Sequence, residues 1–258
     1  MAVLSKRNII ITGLNILSAG FIIFFWTLLA YLSKDLPQTF AQMILNPNVL
    51  IPSITLIFAV LAVFFIRKFF LQTTRAEIFF FMIFILTLSF DGIRPVIYIL
   101  EQLEKPEEYI LLLTRIAYFG KILGIFSLLC FALMTTESDY KPFSTILNIA
   151  IVIAMFIAVR MPFSQIKGTN ALFIPGLRLF FYSISALKIL TVLTLVFNAI
   201  QNRNWEYLNL AVSIIFLFIG SHTLFYTASI IQASAGMILI ITGTVFISYR
   251  IHKLYLWS

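Results

Sequence analysis

Long apolar runs separated by short polar stretches organise the whole chain. Eight of these runs are long enough to cross a hydrocarbon core of about 30 Å as α-helices, because that distance needs roughly 20 residues. We place them at 9–32, 49–66, 78–100, 110–134, 144–159, 177–200, 207–227 and 231–252. The pattern predicts an all-α fold, a polytopic transmembrane helix bundle.

Polar and helix-breaking residues mark the ends of the runs. Asn46 and Pro47 precede the second run, Pro106 precedes the fourth, and Pro175 precedes the sixth. The least marked break, 227–234, contains no charged residue. If no turn forms there, the bundle has seven spans instead of eight, and the sequence leaves both counts open.

The composition agrees with a membrane protein and leaves no room for a soluble domain. Hydrophobic residues make up 61% of the chain and charged residues 11%, against roughly 45–50% and about 25% in soluble domains. Eight runs of roughly 20 residues leave about 98 of the 258 residues for loops and tails. We therefore expect residues 1–258 to form a single integral membrane domain.

The basic residues predict an orientation in the membrane. The chain has a net charge of +8, which suggests nucleic acid in a soluble protein, but lysine and arginine accumulate in the cytoplasmic loops of membrane proteins. With the N-terminus inside, nine basic loop residues are inside: Lys6, Arg7, Arg67, Lys68, Arg75, Lys141, Arg203, Arg250 and Lys253. Four are outside: Lys34, Lys105, Arg160 and Lys167. We predict a multi-pass protein of the cell membrane with both termini in the cytoplasm and no nucleic-acid partner.

The sequence argues against metal and cofactor chemistry. Its one cysteine, Cys130, excludes an internal disulfide, and its two histidines, His222 and His252, exclude most histidine-rich metal or haem sites. No glycine-rich phosphate loop, zinc-binding helix motif or pair of intramembrane carboxylates is present. We expect no cofactor, no metal and no set of catalytic residues, and no motif identifies a family.

Two glycine pairs mark helices that can approach each other closely. Gly120 and Gly124 lie in the fourth run, and Gly236 and Gly243 lie in the eighth. Small residues at these spacings allow close helix contacts in membranes. We expect them to serve packing within one bundle, with a dimer interface as the alternative.

Ionisable residues inside the predicted spans are the candidate functional residues. A charge at membrane depth costs about 2.5–3.5 kcal/mol on insertion scales and is kept mainly where it faces protein or water. At 100° per residue, the polar residues of four spans each fall on one helical face. The candidate ligand-binding residues, all in the outer half or at the midplane, are Asp91, Arg94, Arg115, Tyr118, Lys121, Arg178, Tyr182, Lys188 and His222.

The charge balance of this group points to an anion. Lys121 and Lys188 both lie about 16 Å from the outer surface in the predicted topology, and Asp91, the only acid, cannot neutralise both. We expect Asp91 to contact Arg94, Arg115 or one lysine, directly or through water. The positive excess favours an anionic small molecule or a lipid headgroup. The alternative is a structural role, in which the arginines reach the outer surface and Asp91 forms an ion pair.

Three interpretations of function follow. The first is a ligand-binding or sensory module, embedded in the lipid bilayer, whose basic, outward-facing cavity takes an anionic ligand and whose output passes to a partner protein. The second is a small secondary transporter, which broken helices such as one at Pro95 would favour. The third is a lipid-modifying enzyme that uses Asp91 and His222 as an acid–base pair.

Overall fold

The computed structural model describes residues 2–32, 40–70, 75–135, 143–168 and 171–256. Two of the counted basic loop residues, Lys34 and Lys141, lie outside the described residues. The α-helices are α1 (Ala2–Leu32), α2 (Phe40–Leu45), α3 (Pro47–Phe69), α4 (Ala76–Thr87), α5 (Arg94–Gln102), α6 (Glu107–Met134), α7 (Phe143–Arg160), α8 (Arg178–Gln201), α9 (Glu206–Tyr226) and α10 (Ile230–Leu256). A 3-10 helix, Leu88–Ile93, joins α4 to α5, and strands β1 (Phe163–Lys167) and β2 (Phe173–Pro175) lie between α7 and α8.

Seven helical segments among the described residues are long and apolar enough to cross a membrane. They are α1, α3, the α4–α5 segment, α6, α8, α9 and α10. This confirms the predicted helical architecture in its coarser form. The predicted span 144–159 corresponds to α7, whose apolar part, Ser144–Arg160, is shorter than the other seven segments.

The most hydrophobic segment lies at the centre of the bundle. Every residue from Glu77 to Thr87 in α4 is buried, because a helix that is apolar on all sides has no face to present to a polar surface. α6 packs against α4, the 3-10 helix, α5, α7 and α8. α4 and α6 together form the core against which the functional candidates are arranged.

The 3-10 helix interrupts the third predicted span immediately before Pro95. Proline has no N–H group and cannot donate to the carbonyl four residues earlier, which here belongs to Asp91. The Arg94 N–H donates to that carbonyl instead, in the shorter spacing of a 3-10 turn. The interruption therefore falls on Asp91 and Arg94.

Glycines allow the closest helix contacts, and these contacts are within the chain. A Cβ atom at Gly220 of α9 would lie 2.7 Å from the Gly236 carbonyl of α10, and one at Gly243 would lie 2.9 Å from the Ser213 carbonyl. At Gly124 of α6 a Cβ would lie 2.6 Å from the Thr87 hydroxyl of α4. The predicted glycine pairs therefore pack within one bundle.

Polar contacts hold the α9–α10 pair together at both ends. At the turn, Thr227 Oγ1 donates to Gln232 Oε1 over 2.7 Å and accepts the Ser229 N–H over 2.9 Å. At the other end, Glu206 binds Arg250 over 2.6 Å and Lys253 over 2.8 Å. The uncharged break at 227–234 is thus a real turn, and the last two apolar runs are separate helices.

A small β-hairpin adds to the predicted all-α fold. β1 and β2 pair antiparallel, with Phe163 opposite Pro175 and Lys167 opposite Phe173. The hydrophobic pattern predicts only a loop here, because two strands of five and three residues are too short for a clear alternating pattern. Leu172 and Phe173 are buried, so the hairpin packs onto the bundle.

Candidate functional site

The structure brings three of the predicted site residues to one small cavity, which we call the lysine cavity. Asp91 of the 3-10 helix, Lys121 of α6 and Lys188 of α8 line it together with the hydroxyl residues Thr87 and Ser221. Its volume is about 30 Å³. The rest of its wall is apolar or glycine: Phe84, Leu88, Phe90, Ala117, Gly124, Ile125 and Phe225.

Lys121 extends from the middle of α6 into an aromatic environment. Its Nζ is shielded from solvent and has no hydrogen-bond partner among the described residues. The nitrogen lies 4.0 Å from the ring centroid of Phe225 and 4.2 Å from that of Tyr226. Both distances are within the range of cation–π attraction. The two rings lower the cost of a buried ammonium, but they leave its three N–H groups without acceptors.

Lys188 lines the same cavity from α8. Its Nζ lies 5.6 Å from the ring centroid of Phe218 on α9. Lys188 and Lys121 are close enough to repel each other electrostatically. The two lysines that the sequence placed at the same depth on different spans therefore share one cavity.

Asp91 is 7% exposed and is the acid nearest to these lysines among the residues that line the cavity. It attracts Arg94 and Lys121 electrostatically, but its carboxylate forms no direct ion pair among the described residues. A water molecule needs roughly 10–15 Å³ of cavity volume, so the lysine cavity has room for about two. The predicted contact of Asp91 through water remains a prediction.

Arg94 points away from the cavity. Its side chain is completely buried, and Nη1 and Nη2 donate to the carbonyls of Leu224 over 2.9 Å and Thr227 over 3.1 Å. The last carbonyls of a helix have no partner within the helix and carry a partial negative charge. Arg94 therefore caps the C-terminus of α9.

Tyr118 and His222 lie beside the lysine cavity. Tyr118 is 1% exposed, interacts electrostatically with Tyr226, and contacts the rings of Phe163, Phe180 and Phe225 at 5.5, 6.1 and 5.2 Å. These rings form an aromatic layer between Lys121 and the β-hairpin. His222 is exposed on α9, and its ring lies 4.7 Å from that of Tyr226.

Besides Arg94, Tyr118 and His222, three further predicted site residues do not line the cavity. Arg178 and Tyr182 lie on the first turns of α8 and are exposed, Tyr182 by 70%. Arg115 is half-buried on α6, and its Nε has no hydrogen-bond partner among the described residues. The predicted stripes on α6 and α8 therefore reach the cavity only at their inner ends, at Lys121 and Lys188.

Sequence reasoning missed several residues of the site. Thr87 and Ser221 line the cavity, and Phe225 and Tyr226 hold the Lys121 ammonium. The alignment of Tyr226 with His222 one helical turn earlier was visible in the sequence. Nothing distinguishes Phe225 from the other phenylalanines among the 28 in the chain.

Neither the predicted acid–base pair nor a metal-binding cluster forms among the described residues. Asp91 and His222 form no hydrogen bond with each other in the part of the chain that the structure describes, and the same part contains no group of three or more histidine, cysteine or acidic residues that could hold a metal ion.

Comparison with protein-family models, with curated proteins and with solved structures found no match.

Proposed function

We propose that this chain is an integral membrane ligand-binding or sensory module that accepts an anionic ligand in the lysine cavity. One observation carries the proposal: Lys121 and Lys188 line the same cavity, where Asp91 is the only acid. The ligand is either a free anion or the anionic headgroup of a lipid, which present the same chemistry to the two lysines.

The energetics of burial support a ligand. A charge at membrane depth costs about 2.5–3.5 kcal/mol on insertion scales, and two lysines line this one cavity. Asp91 compensates one positive charge by attraction. The second positive charge has no acid within the cavity, so a bound anion would remove the repulsion between Lys121 and Lys188.

We further propose eight membrane crossings with both termini in the cytoplasm of a cell. In this topology α7 also crosses the membrane, which raises the seven crossings to eight. Its length is at the short end of the range of roughly 17–25 residues for a transmembrane helix. The bias of nine basic loop residues inside against four outside supports this orientation. The loops between the described helices are too short to form a soluble domain. A signal produced by ligand binding would therefore pass to a partner protein through the helices.

A small secondary transporter is the second candidate, and the 3-10 interruption favours it. Discontinuous helices near the midplane form the binding sites of many transporters, and here the interruption, Leu88–Ile93, carries Asp91 into the lysine cavity. The two candidates share the binding site. They differ in whether the ligand crosses the membrane.

The proposal is tested by anion-dependent stability. The protein is purified in nanodiscs of phosphatidylcholine with sodium gluconate, and its unfolding temperature is followed on addition of sodium nitrate, acetate or phosphate. A parallel preparation replaces part of the phosphatidylcholine with phosphatidylglycerol, which tests the headgroup as the source of the anion. At least one addition is expected to raise the unfolding temperature in a saturable manner, since a ligand that binds the folded state stabilises it.

Matched variants assign any effect to the cavity. The double variant Lys121→Met and Lys188→Met is expected to lose the anion response, and Arg178→Met, which removes an exposed cation on α8, is expected to retain it. A transporter would in addition move the anion into liposomes. The proposal is overturned if no anion stabilises the wild-type protein, or if the double variant responds as the wild type does.

A further inference from the structure

The volume, charge and free donors of the lysine cavity point to one ligand class, and this inference rests on the anion-binding function proposed above. We infer that the ligand is a compact inorganic monoanion of the size of a halide or nitrate, bound without its water shell between Lys121 and Lys188. A lipid headgroup and a phosphate ion are then both excluded from the cavity.

Volume is the first argument. The cavity measures about 30 Å³, which is room for about two water molecules. A halide ion or a planar nitrate is comparable in size. A phosphate ion, with four oxygens around its phosphorus, is larger than either, and a phosphate ester is larger still. The walls of the cavity include Phe84 of α4, Phe90 of the 3-10 helix and Phe225 of α9, in a packed core.

Charge is the second argument. The three ionisable side chains that line the cavity, Asp91, Lys121 and Lys188, have a formal sum of +1. The guanidinium of Arg94 lies outside the lining and donates to the carbonyls that end α9, whose partial negative charge offsets part of its own. One monovalent anion neutralises the formal charge of the three lining side chains, whereas a dianion would leave them with a net negative charge.

The supply of hydrogen-bond donors is the third argument. Both hydroxyl groups of the lining already donate to carbonyls of their own helices, Thr87 to Phe84 over 2.6 Å and Ser221 to Phe218 over 3.3 Å. The ammonium of Lys121 is shielded and without an acceptor among the described residues. The free hydrogen-bond donors are therefore the ammonium groups of the lysines. Few donors are enough for a small ion such as a halide or nitrate.

The neighbouring apolar groove does not include the charged residues of the lysine cavity. This groove, of about 560 Å³, shares Thr87 and Phe90 with the lysine cavity. Asp91, Lys121 and Lys188 do not line it. A lipid chain that occupies the groove would therefore contact neither lysine.

The test is a series of sodium salts at constant ionic strength, with the protein in phosphatidylcholine nanodiscs and gluconate as the baseline anion. Chloride, bromide and nitrate are expected to raise the unfolding temperature in a saturable manner, and sulfate, phosphate and added phosphatidylglycerol are expected to have no saturable effect. Lys188→Met should weaken bromide binding by at least about tenfold, because the attraction of one close charge is lost. Arg178→Met should leave bromide binding unchanged.

Asp91→Asn provides a test with the opposite sign. It removes the one negative charge of the lining, so bromide should bind more tightly than in the wild type. Anomalous diffraction from bromide-grown crystals should place the ion between the two lysines.

The outcomes separate the two proposals. If phosphate or phosphatidylglycerol stabilises the protein in a manner that Lys121→Met and Lys188→Met abolish while halides have no effect, the monoanion inference is wrong and the anion-binding function stands. If no anion gives a saturable response, both are wrong.

Discussion

At the scale of single residues, Arg94 shows how a buried cation is stabilised without an acid as its direct partner. Two of its donors bind the carbonyls of Leu224 and Thr227, groups that the end of α9 would otherwise leave unpaired inside the bundle. A hydrogen bond between a charged group and a buried acceptor is worth about 1.5–3 kcal/mol. Arg94 therefore fastens the 3-10 interruption to the end of α9.

We predict that Arg94→Met lowers the free energy of unfolding by about 3 kcal/mol, since it leaves two buried carbonyls without donors. Arg94→Lys should recover part of this loss, because one ammonium cannot match the fork of a guanidinium. Arg178→Met, at an exposed arginine, is the control and should change stability little. The measurement is a denaturant titration in micelles. Equal losses in Arg94→Met and Arg178→Met would contradict the capping role.

The identity of the site residues was predictable at this scale, but their directions were not. A charge in an apolar run stands out in any sequence, so Asp91, Lys121 and Lys188 were recognised. The predicted common face of Asp91 and Arg94 assumed 100° per residue. In a 3-10 turn residues three apart also lie nearly in line, so helical geometry alone does not separate the two side chains. The Arg94 side chain instead binds the carbonyls at the end of α9, a tertiary contact that leaves no local pattern.

At the scale of elements, the α9–α10 pair depends on glycines at its contact. We predict that Gly220→Ala destabilises the protein by about 1–3 kcal/mol, because the added Cβ has to displace the backbone of α10. Gly20→Ala is the matched control. A Cβ at Gly20 of α1 meets nothing within 4 Å, and alanine favours a helix over glycine by up to about 1 kcal/mol.

Thermal unfolding of the two glycine variants in the same detergent provides the comparison. The close packing of α9 on α10 would be refuted if both variants were equally stable or if Gly20→Ala were the more damaging. Circular dichroism at low temperature would show that both variants keep their helices.

The lengths of the apolar runs and the helix-breaking residues between them predict most ends of the long helices to within a few residues. The run at 78–100 is long enough for one span and dominated by apolar residues, so the sequence predicts a single helix there and indicates a kink only through Pro95. The β-hairpin was missed because its short strands depend on packing: Phe163 contacts Tyr118 of α6 from a distant part of the chain. Tertiary contacts of this kind leave no local pattern.

At the scale of the whole molecule, the proposed topology places the two ends of the helices on opposite sides of the membrane. Cys130 is the only cysteine and is buried, so an introduced cysteine in a loop can be detected against a low background. We predict that Lys105→Cys, in the loop before α6, reacts with a membrane-impermeant maleimide in intact cells. Asn202→Cys, in the loop before α9, should react only after the membrane is opened.

Both positions are exposed loop residues, so differences in labelling report the side of the membrane and not burial. Labelling of Asn202→Cys, but not Lys105→Cys, in intact cells would reverse the proposed orientation. Labelling of both in intact cells would place the two loops on the same side of the membrane. That result would contradict the three crossings, α6, α7 and α8, that the proposed topology puts between them.

The short α7 has a consequence for the lipids around the protein. An α-helix rises 1.5 Å per residue, so α7 with 18 residues is about 27 Å long and α6 with 28 residues is about 42 Å long. In the proposed topology, lipid tails that border α7 would have to shorten, or α7 would have to stand more upright than the longer helices. Hydrophobic mismatch at α7 would then give the protein a preferred side for contact with thinner bilayer, and with it a means of choosing its neighbours in the plane of the membrane.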